Sequence, residues 1–141
     1  MKQNTAHPDE NRGQQIQTVL VVDDDENWCF ISKRLLKVVG IGSEILTASN
    51  GREALDTLKK LATNGGRQPE LVFLDLKMPV MDGFEFLDAV TKAEEVDLSQ
   101  TRIFICSSSQ HPKDKERARQ YPVAGFISKP LTQEILAEII G

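Results

Sequence analysis

The feature that most restricts what this chain can fold into is an alternation. Five short apolar runs recur, each followed by a segment of helical character. The runs are TVLVV (18–22), EILTA (44–48), ELVFL (70–74), RIFIC (102–106) and VAGFI (123–127). β-Branched and aromatic residues dominate them, as suits a strand. Parallel strands joined through helices cross over right-handed and carry their helices on both faces of the sheet. The expected fold is therefore α/β: a doubly wound, five-stranded parallel sheet of the form (βα)5.

The helices announce their ends locally. The first is expected to face inward with Ile31, Leu35, Val38 and Val39 and to stop at Gly40, a residue free to take the left-handed cap conformation. The second opens on Asn50 and Glu53 at capping-box spacing, and sets Ala54, Leu55, Leu58, Leu61 and Ala62 in one stripe before NGGRQP breaks it. Asp82 and Glu85 open the third in the same way, with Phe86, Leu87 and Val90 to bury. The fourth, in QHPKDKERARQY, has only Ala118 and Tyr121 to offer a core, so it should be solvated and weakly held. The fifth, TQEILAEII, turns Ile135, Leu136, Ile139 and Ile140 inward.

A chain of 141 residues with 40% hydrophobic and 27% charged content can close one core without disulfide or metal staples. Residues 1–17 carry almost nothing apolar and read as a flexible N-terminal segment, which leaves 18–141 as the domain. A net charge of -4 supplies no basic face for nucleic acid or for an anionic membrane. No apolar run approaches the roughly 20 residues of a membrane span, and the polar N-terminus is unlike a secretory signal, so a cytoplasmic protein is expected. Cys29 and Cys106 lie in a helix and a strand with no zinc spacing and read as reduced apolar fillers.

In open parallel sheets a site lies beyond the carboxyl ends of the strands. Here those ends carry chemistry: Asp23 and Asp24 after the first strand, Asp75 after the third, Ser107 after the fourth, and Lys129 before Pro130 after the fifth. Two carboxylates 4 Å apart repel by about 4 kcal/mol at an effective dielectric near 20, so such a cluster calls for solvent or a cation. Magnesium binds through one or two carboxylates and spends the rest of its shell on water and phosphate, which Asp23, Asp24 and Asp75 could supply. Lys129 and Ser107 suit phosphoryl oxygens as a charge and a hydroxyl donor. Asp75, central in the sheet, could act as the nucleophile that forms an acyl phosphate. Singly, each residue has a duller reading: a solvated loop or helix cap, a surface charge, a turn serine. Asp25 and Glu26 read only as acids favourable to a helix start. The agreement of four strand ends carries the case.

Those residues also carry a family resemblance. VLVVDDDE, LVFLDLKMPVMDGFEFL, IFICSSS and GFISKPL, in this order and spacing, resemble the receiver domain of two-component response regulators over about residues 18–140. The resemblance implies the flavodoxin-like strand order 2-1-3-4-5. It further implies that Asp75 accepts a phosphoryl group from a phosphohistidine of a histidine kinase or histidine phosphotransfer protein. Asp23, Asp24, Asp75 and the backbone carbonyl of Lys77 would hold Mg2+, and Lys129 would contact the phosphate. Ser107, where the family more often has threonine, and Phe126 match its switch pair. They would bias a face made of helix 4, strand 5 and helix 5 toward a downstream protein partner, a relay or a homodimer. Such a protein assists its own phosphorylation and dephosphorylation and is not a turnover enzyme. With the fifth helix ending at the last residues, a stand-alone receiver is expected.

Two rivals come from other classes. A magnesium-dependent phosphohydrolase working through an aspartyl phosphate would need a second acid two residues past Asp75, where Lys77 stands. A flavin-binding module would need a hydroxyl-rich or glycine-rich phosphate loop after the first strand, where three acids would repel the cofactor. The GxxxxGK nucleotide loop is absent as well.

Overall fold

The computed structural model describes residues 16–108 and 111–140. Five strands, β1 (Thr18–Val22), β2 (Glu44–Ala48), β3 (Leu71–Leu74), β4 (Arg102–Ser107) and β5 (Gly125–Ser128), pair in parallel in the order β2-β1-β3-β4-β5. Five helices alternate with them: α1 (Glu26–Val38), α2 (Gly51–Thr63), α3 (Gly83–Lys92), α4 (Pro112–Ala118) and α5 (Gln133–Ile140). Both the doubly wound class and the strand order expected from the sequence are those observed.

The pleat divides the core in two. Leu20, Val22, Val72, Leu74, Ile103 and Ile105 face α2, α3 and α4 in one apolar cluster, while Val19, Val21, Leu71, Phe73, Phe104 and Ile127 face α1 and α5 in the other. Every residue of β3 is buried, which is why its sequence is continuously apolar rather than alternating. At about 1.5–3 kcal/mol for each fully buried aliphatic or aromatic side chain, these two layers are the main stabilising term.

Local signals place most helix ends as expected. Gly40 has φ 77, its N–H reaches the Lys37 carbonyl, and Ile41 N–H reaches Leu36 O at 2.9 Å, the pair of bonds that makes a Schellman cap on α1. Asp82 and Glu85 form a reciprocal capping box. At α2 the box is stretched: Asn50 accepts from Glu53 N, but the Glu53 carboxylate reaches Ser49 N rather than Asn50 N.

Three expectations need correction. In α1, Ile31 and Val38 are 58% and 69% exposed, and the inward stripe is Trp28, Cys29, Ser32, Leu35, Leu36 and Val39. Ser32, a buried hydroxyl in the middle of that stripe, hid the periodicity, and the outward apolar residues imitated it. The N-terminal segment falls outside the described residues except for Ile16 and Gln17. Ile16 is buried and Gln17 accepts from Glu44 N and donates to Glu70 Oε1, so these two residues are anchored just ahead of β1 instead of lying free. Finally, β5 begins at Gly125, two residues later than VAGFI suggests, although Ala124 N–H already bonds Ile103 O. α4 is short and only Ala118 in it is buried, as its composition foretold.

Candidate functional site

The carboxyl ends of β1, β3 and β5 converge. Asp23 follows β1 directly; its N–H is held by Ala48 O of β2 at 2.9 Å, and its Oδ1 accepts from Asp25 N at 3.0 Å. Asp25 then caps α1, accepting from Trp28 N at 3.1 Å, so the sharp exit from strand to helix fixes both acids ahead of it. Asp75 follows β3, its N–H bonded to Val22 O at 2.9 Å. One carboxylate oxygen from each of Asp23, Asp24 and Asp75 lies within 4.8 Å of the others. Asp23 is buried, Asp75 partly so, and Asp24 exposed.

Lys129, just past β5, closes the cluster. Its Nζ is 2.6 Å from Asp23 Oδ2 and 3.8 Å from Asp75 Oδ1. The strand ends bring it there: β4 pairs with β5 through Ser107 and Ser128, and Lys129 N–H bonds Ser107 O at 3.1 Å. Ser107 is buried at the tip of β4 beside these groups, and it has an interaction partner of its own. Lys77 lies in the loop after Asp75 with its side chain exposed. Phe126 sits in mid β5, paired with Ile105 and half-buried against α4, where the Lys115 ammonium stands 5.9 Å from its ring centroid. Thus Asp23, Asp24, Asp75 and Lys129 form one constellation, Ser107 adjoins it, and Phe126 belongs to a different surface.

Electrostatics follow from that crowding. Burial, reinforced by the charge of Asp23, pushes the Asp75 carboxyl up to about 6 against the opposing pull of Lys129. Burial works against the charge on Lys129, but its bond to Asp23 and the charges of Asp75 and Asp23 outweigh it and hold the ammonium above its ordinary value. Burial, aided by Asp23 and Asp25, lifts the Cys29 thiol to about 11, so its S–H remains protonated and donates to Asp23 O at 3.4 Å. Cys106 is lifted to about 12, again by burial first. Both cysteines are free and burial favours their protonated thiols, in keeping with the filler reading. A set of oxygen donors with no sulfur or imidazole fits a hard divalent cation.

Two further residues shape the site: Gly83, whose type at a tight helix start is legible in the sequence, and Trp28, whose part in the site is not. Gly83 opens α3 so close to the Asp75 loop that a Cβ would lie 2.6 Å from Asp75 O and 2.9 Å from Leu76 Cα. Trp28, two residues after the helix-start acid Glu26, brings its ring centroid within 4.9 Å of Lys129 Nζ. Nothing in one-dimensional spacing couples residue 28 to residue 129; only the twist that lays α1 beside the end of β5 does.

Comparison with known proteins agrees with this arrangement. The family model described as the response regulator receiver domain matches residues 19–141. A probable methanogenesis regulatory protein, FilR2 of Methanothrix harundinacea, is 30% identical over 123 residues, which is 86% of this chain and 77% of that protein. The sensor histidine kinase CheAY of Helicobacter pylori is 30% identical over 122 residues, 86% of this chain but only 14% of the kinase. Most of the relatives are thus far longer than the stretch they share with this chain. Among solved structures, a two-component response regulator from Cytophaga hutchinsonii superposes with a TM-score of 0.80 at 28% identity, covering 88% of this chain and 93% of that one. The chemotaxis protein CheY4 of Vibrio cholerae gives 0.72 at 29% identity, covering 88% and 95%. Among the described residues no helix is long and apolar enough to cross a membrane. With the match spanning nearly its whole length, the chain belongs to the response regulator receiver domain family of two-component systems.

Proposed function

We propose that this domain accepts a phosphoryl group on Asp75 from a phosphohistidine of a histidine kinase or histidine phosphotransfer protein. An oxygen of Asp75 attacks phosphorus, the P–N bond breaks as the P–O bond forms, and the released imidazole nitrogen takes a proton from water. The observation that carries this reading is the convergence of three carboxylates within 4.8 Å on the Lys129 ammonium, at the sheet end where ligands bind. Phosphoryl transfer asks mainly for positioning and charge neutralisation, and this set of groups supplies both.

Asp23, Asp24, Asp75 and the Lys77 backbone carbonyl would hold Mg2+, an assignment supported by their all-oxygen donor chemistry and by the crowding of three carboxylates within 4.8 Å. Bound there, the ion supplies charge neutralisation for the incoming phosphoryl oxygens. Lys129 shifts part of its attention from Asp23 to the transferred group, and Ser107 donates its hydroxyl. Withdrawal of Ser107 toward the phosphoryl group frees room for Phe126, and the surface of α4, β5 and α5 changes shape for a downstream protein or a relay. That α4 buries a single residue makes such a change inexpensive.

The test is to mix the protein with a small-molecule phosphodonor and Mg2+ and to weigh it. A gain of one phosphoryl group, abolished in Asp75→Asn, is expected. Turnover of many equivalents of a phosphomonoester would instead establish the phosphohydrolase alternative and overturn this reading.

A further inference from the structure

We propose that Trp28 is a positioning residue for the Lys129 ammonium, a proposal that rests on the phosphoacceptor reading above. The ammonium has three N–H donors. One meets Asp23 Oδ2 at 2.6 Å, Asp75 Oδ1 stands 3.8 Å away, and the indole ring of Trp28 closes a further side with its centroid at 4.9 Å. That distance is within the roughly 6 Å over which a ring face attracts a cation. The ring itself is well fixed. Trp28 lies in the first turn of α1, its backbone N–H is tied to Asp25 Oδ1 at 3.1 Å, and its side chain packs against the inner cluster shared by α1 and α5.

The chemistry of the reaction explains why an aromatic face suits this place. During transfer Lys129 must exchange some of its hold on Asp23 for a phosphoryl oxygen on Asp75. A carboxylate in the position of Trp28 would compete with that oxygen and add a fourth negative charge to a site already holding three carboxylates. A water would have to leave or reorient. A π face attracts the ammonium over a broad area and has no lone pair of its own to trade. Lys129 can therefore slide toward the phosphoryl group while the ring keeps it inside the site.

The experiment compares Trp28→Leu and Trp28→Phe with wild type, and repeats Trp28→Leu in a Lys129→Gln background. Phosphorylation by a small-molecule phosphodonor with Mg2+ is followed by mass. The expected result is a threefold to tenfold slower rate for Trp28→Leu, most of it restored in Trp28→Phe, and no further slowing by Trp28→Leu once Lys129 is gone. Because Trp28 is the single tryptophan, its emission in wild type against Lys129→Gln reads the contact directly, without any phosphorylation, and should change. An unaltered rate in Trp28→Leu, an equal loss in the Lys129→Gln background, or emission indifferent to Lys129 overturns the proposal. A wild-type protein that gains no phosphoryl group, with emission still sensitive to Lys129, sinks the phosphoacceptor reading and leaves the Trp28–Lys129 contact standing.

Discussion

Lys129 Nζ lies 2.6 Å from Asp23 Oδ2, and the Asp23 carboxylate it faces is almost sealed from water, with a side-chain exposure of 1%. One ammonium thus balances a buried acid and a second, nearby one. Removing one partner of a buried pair costs about 3–5 kcal/mol because the survivor stays charged in a poor solvent. Lys129→Met is accordingly expected to lose about 2–4 kcal/mol at pH 7 in urea unfolding, since the lysine end is partly hydrated at 17% exposure. Adding Asp23→Asn should restore much of the loss. If the single variant unfolds at the wild-type midpoint, the pair contributes nothing to stability.

Asp75 gives the stability of the metal-free protein a pH dependence whose sign follows from its shift. The folded value of about 6 lies above the roughly 3.9 of an unfolded aspartate. Protons therefore bind the folded form more tightly, and the contribution of this group is fully present below about pH 4 and is lost as pH rises through about 6. Urea unfolding of wild type and Asp75→Asn across that range should show the variant gaining on wild type as pH increases, with the gap levelling off above about pH 7. Mg2+ should narrow the gap at neutral pH. A difference independent of pH would mean that Asp75 titrates at its ordinary value.

The sheet was legible because its strands are continuous apolar runs between helix caps made of adjacent residues, and the acids stand directly at strand ends. Asp23, Asp24, Asp75 and Lys129 needed only the rule about carboxyl edges to be placed together. What stayed hidden depends on tertiary contact. Ser32 is polar yet buried, and Ile31 and Val38 are apolar yet exposed, so the orientation of α1 could not be taken from polarity. The ties of Gln17 to the sheet come from Glu44 and Glu70, remote in sequence, and Ile16 is held by the apolar cluster under α1 and α5. Trp28 acquires its place in the site from Lys129, a hundred residues away in sequence.

Gly83 shows how tightly the Asp75 loop is held from behind. Its N–H bonds Leu76 O at 2.9 Å, and there is no room for a Cβ against Asp75 O. Gly83→Ala must push the loop or the start of α3 aside, at about 1–3 kcal/mol, and should slow phosphorylation of Asp75 by tenfold or more. Gly40→Ala is the matched control. Gly40 has positive φ and nothing within 4 Å of a built Cβ, so the substitution should cost about 1 kcal/mol and leave phosphorylation unchanged. Equal phosphorylation rates in the two variants would show that Gly83 does not position the loop.

Lys77 places an exposed ammonium two residues past Asp75. Swinging over an acyl phosphate, it would screen the phosphoryl group from attacking water. Lys77→Ala should shorten the lifetime of phosphorylated Asp75 at least twofold without altering the fold, because its side chain has no hydrogen-bond or ion-pair partner among the described residues. Loss of radiolabel or of the added mass, followed over time in both proteins, checks this, and equal lifetimes would refute it.

The same loop stores strain at Val80. Its φ is 69, in the left-handed region, and Met81 N–H reaches back over it to Pro79 O at 2.7 Å, a γ-turn with a β-branched residue at its centre. Burial offers no compensation, since Val80 is 80% exposed. Glycine adopts this conformation without a Cβ clash, although it adds unfolded-state entropy. Val80→Gly is therefore expected to raise stability by about 0.5–1 kcal/mol, and Val80→Ala, which keeps Cβ but loses the branch, by less. Thermal melts should rank Gly above Ala above wild type. Were both variants less stable than wild type, the valine side chain would have to make contacts that outweigh the cost of its backbone, and the turn would not be strained in solution.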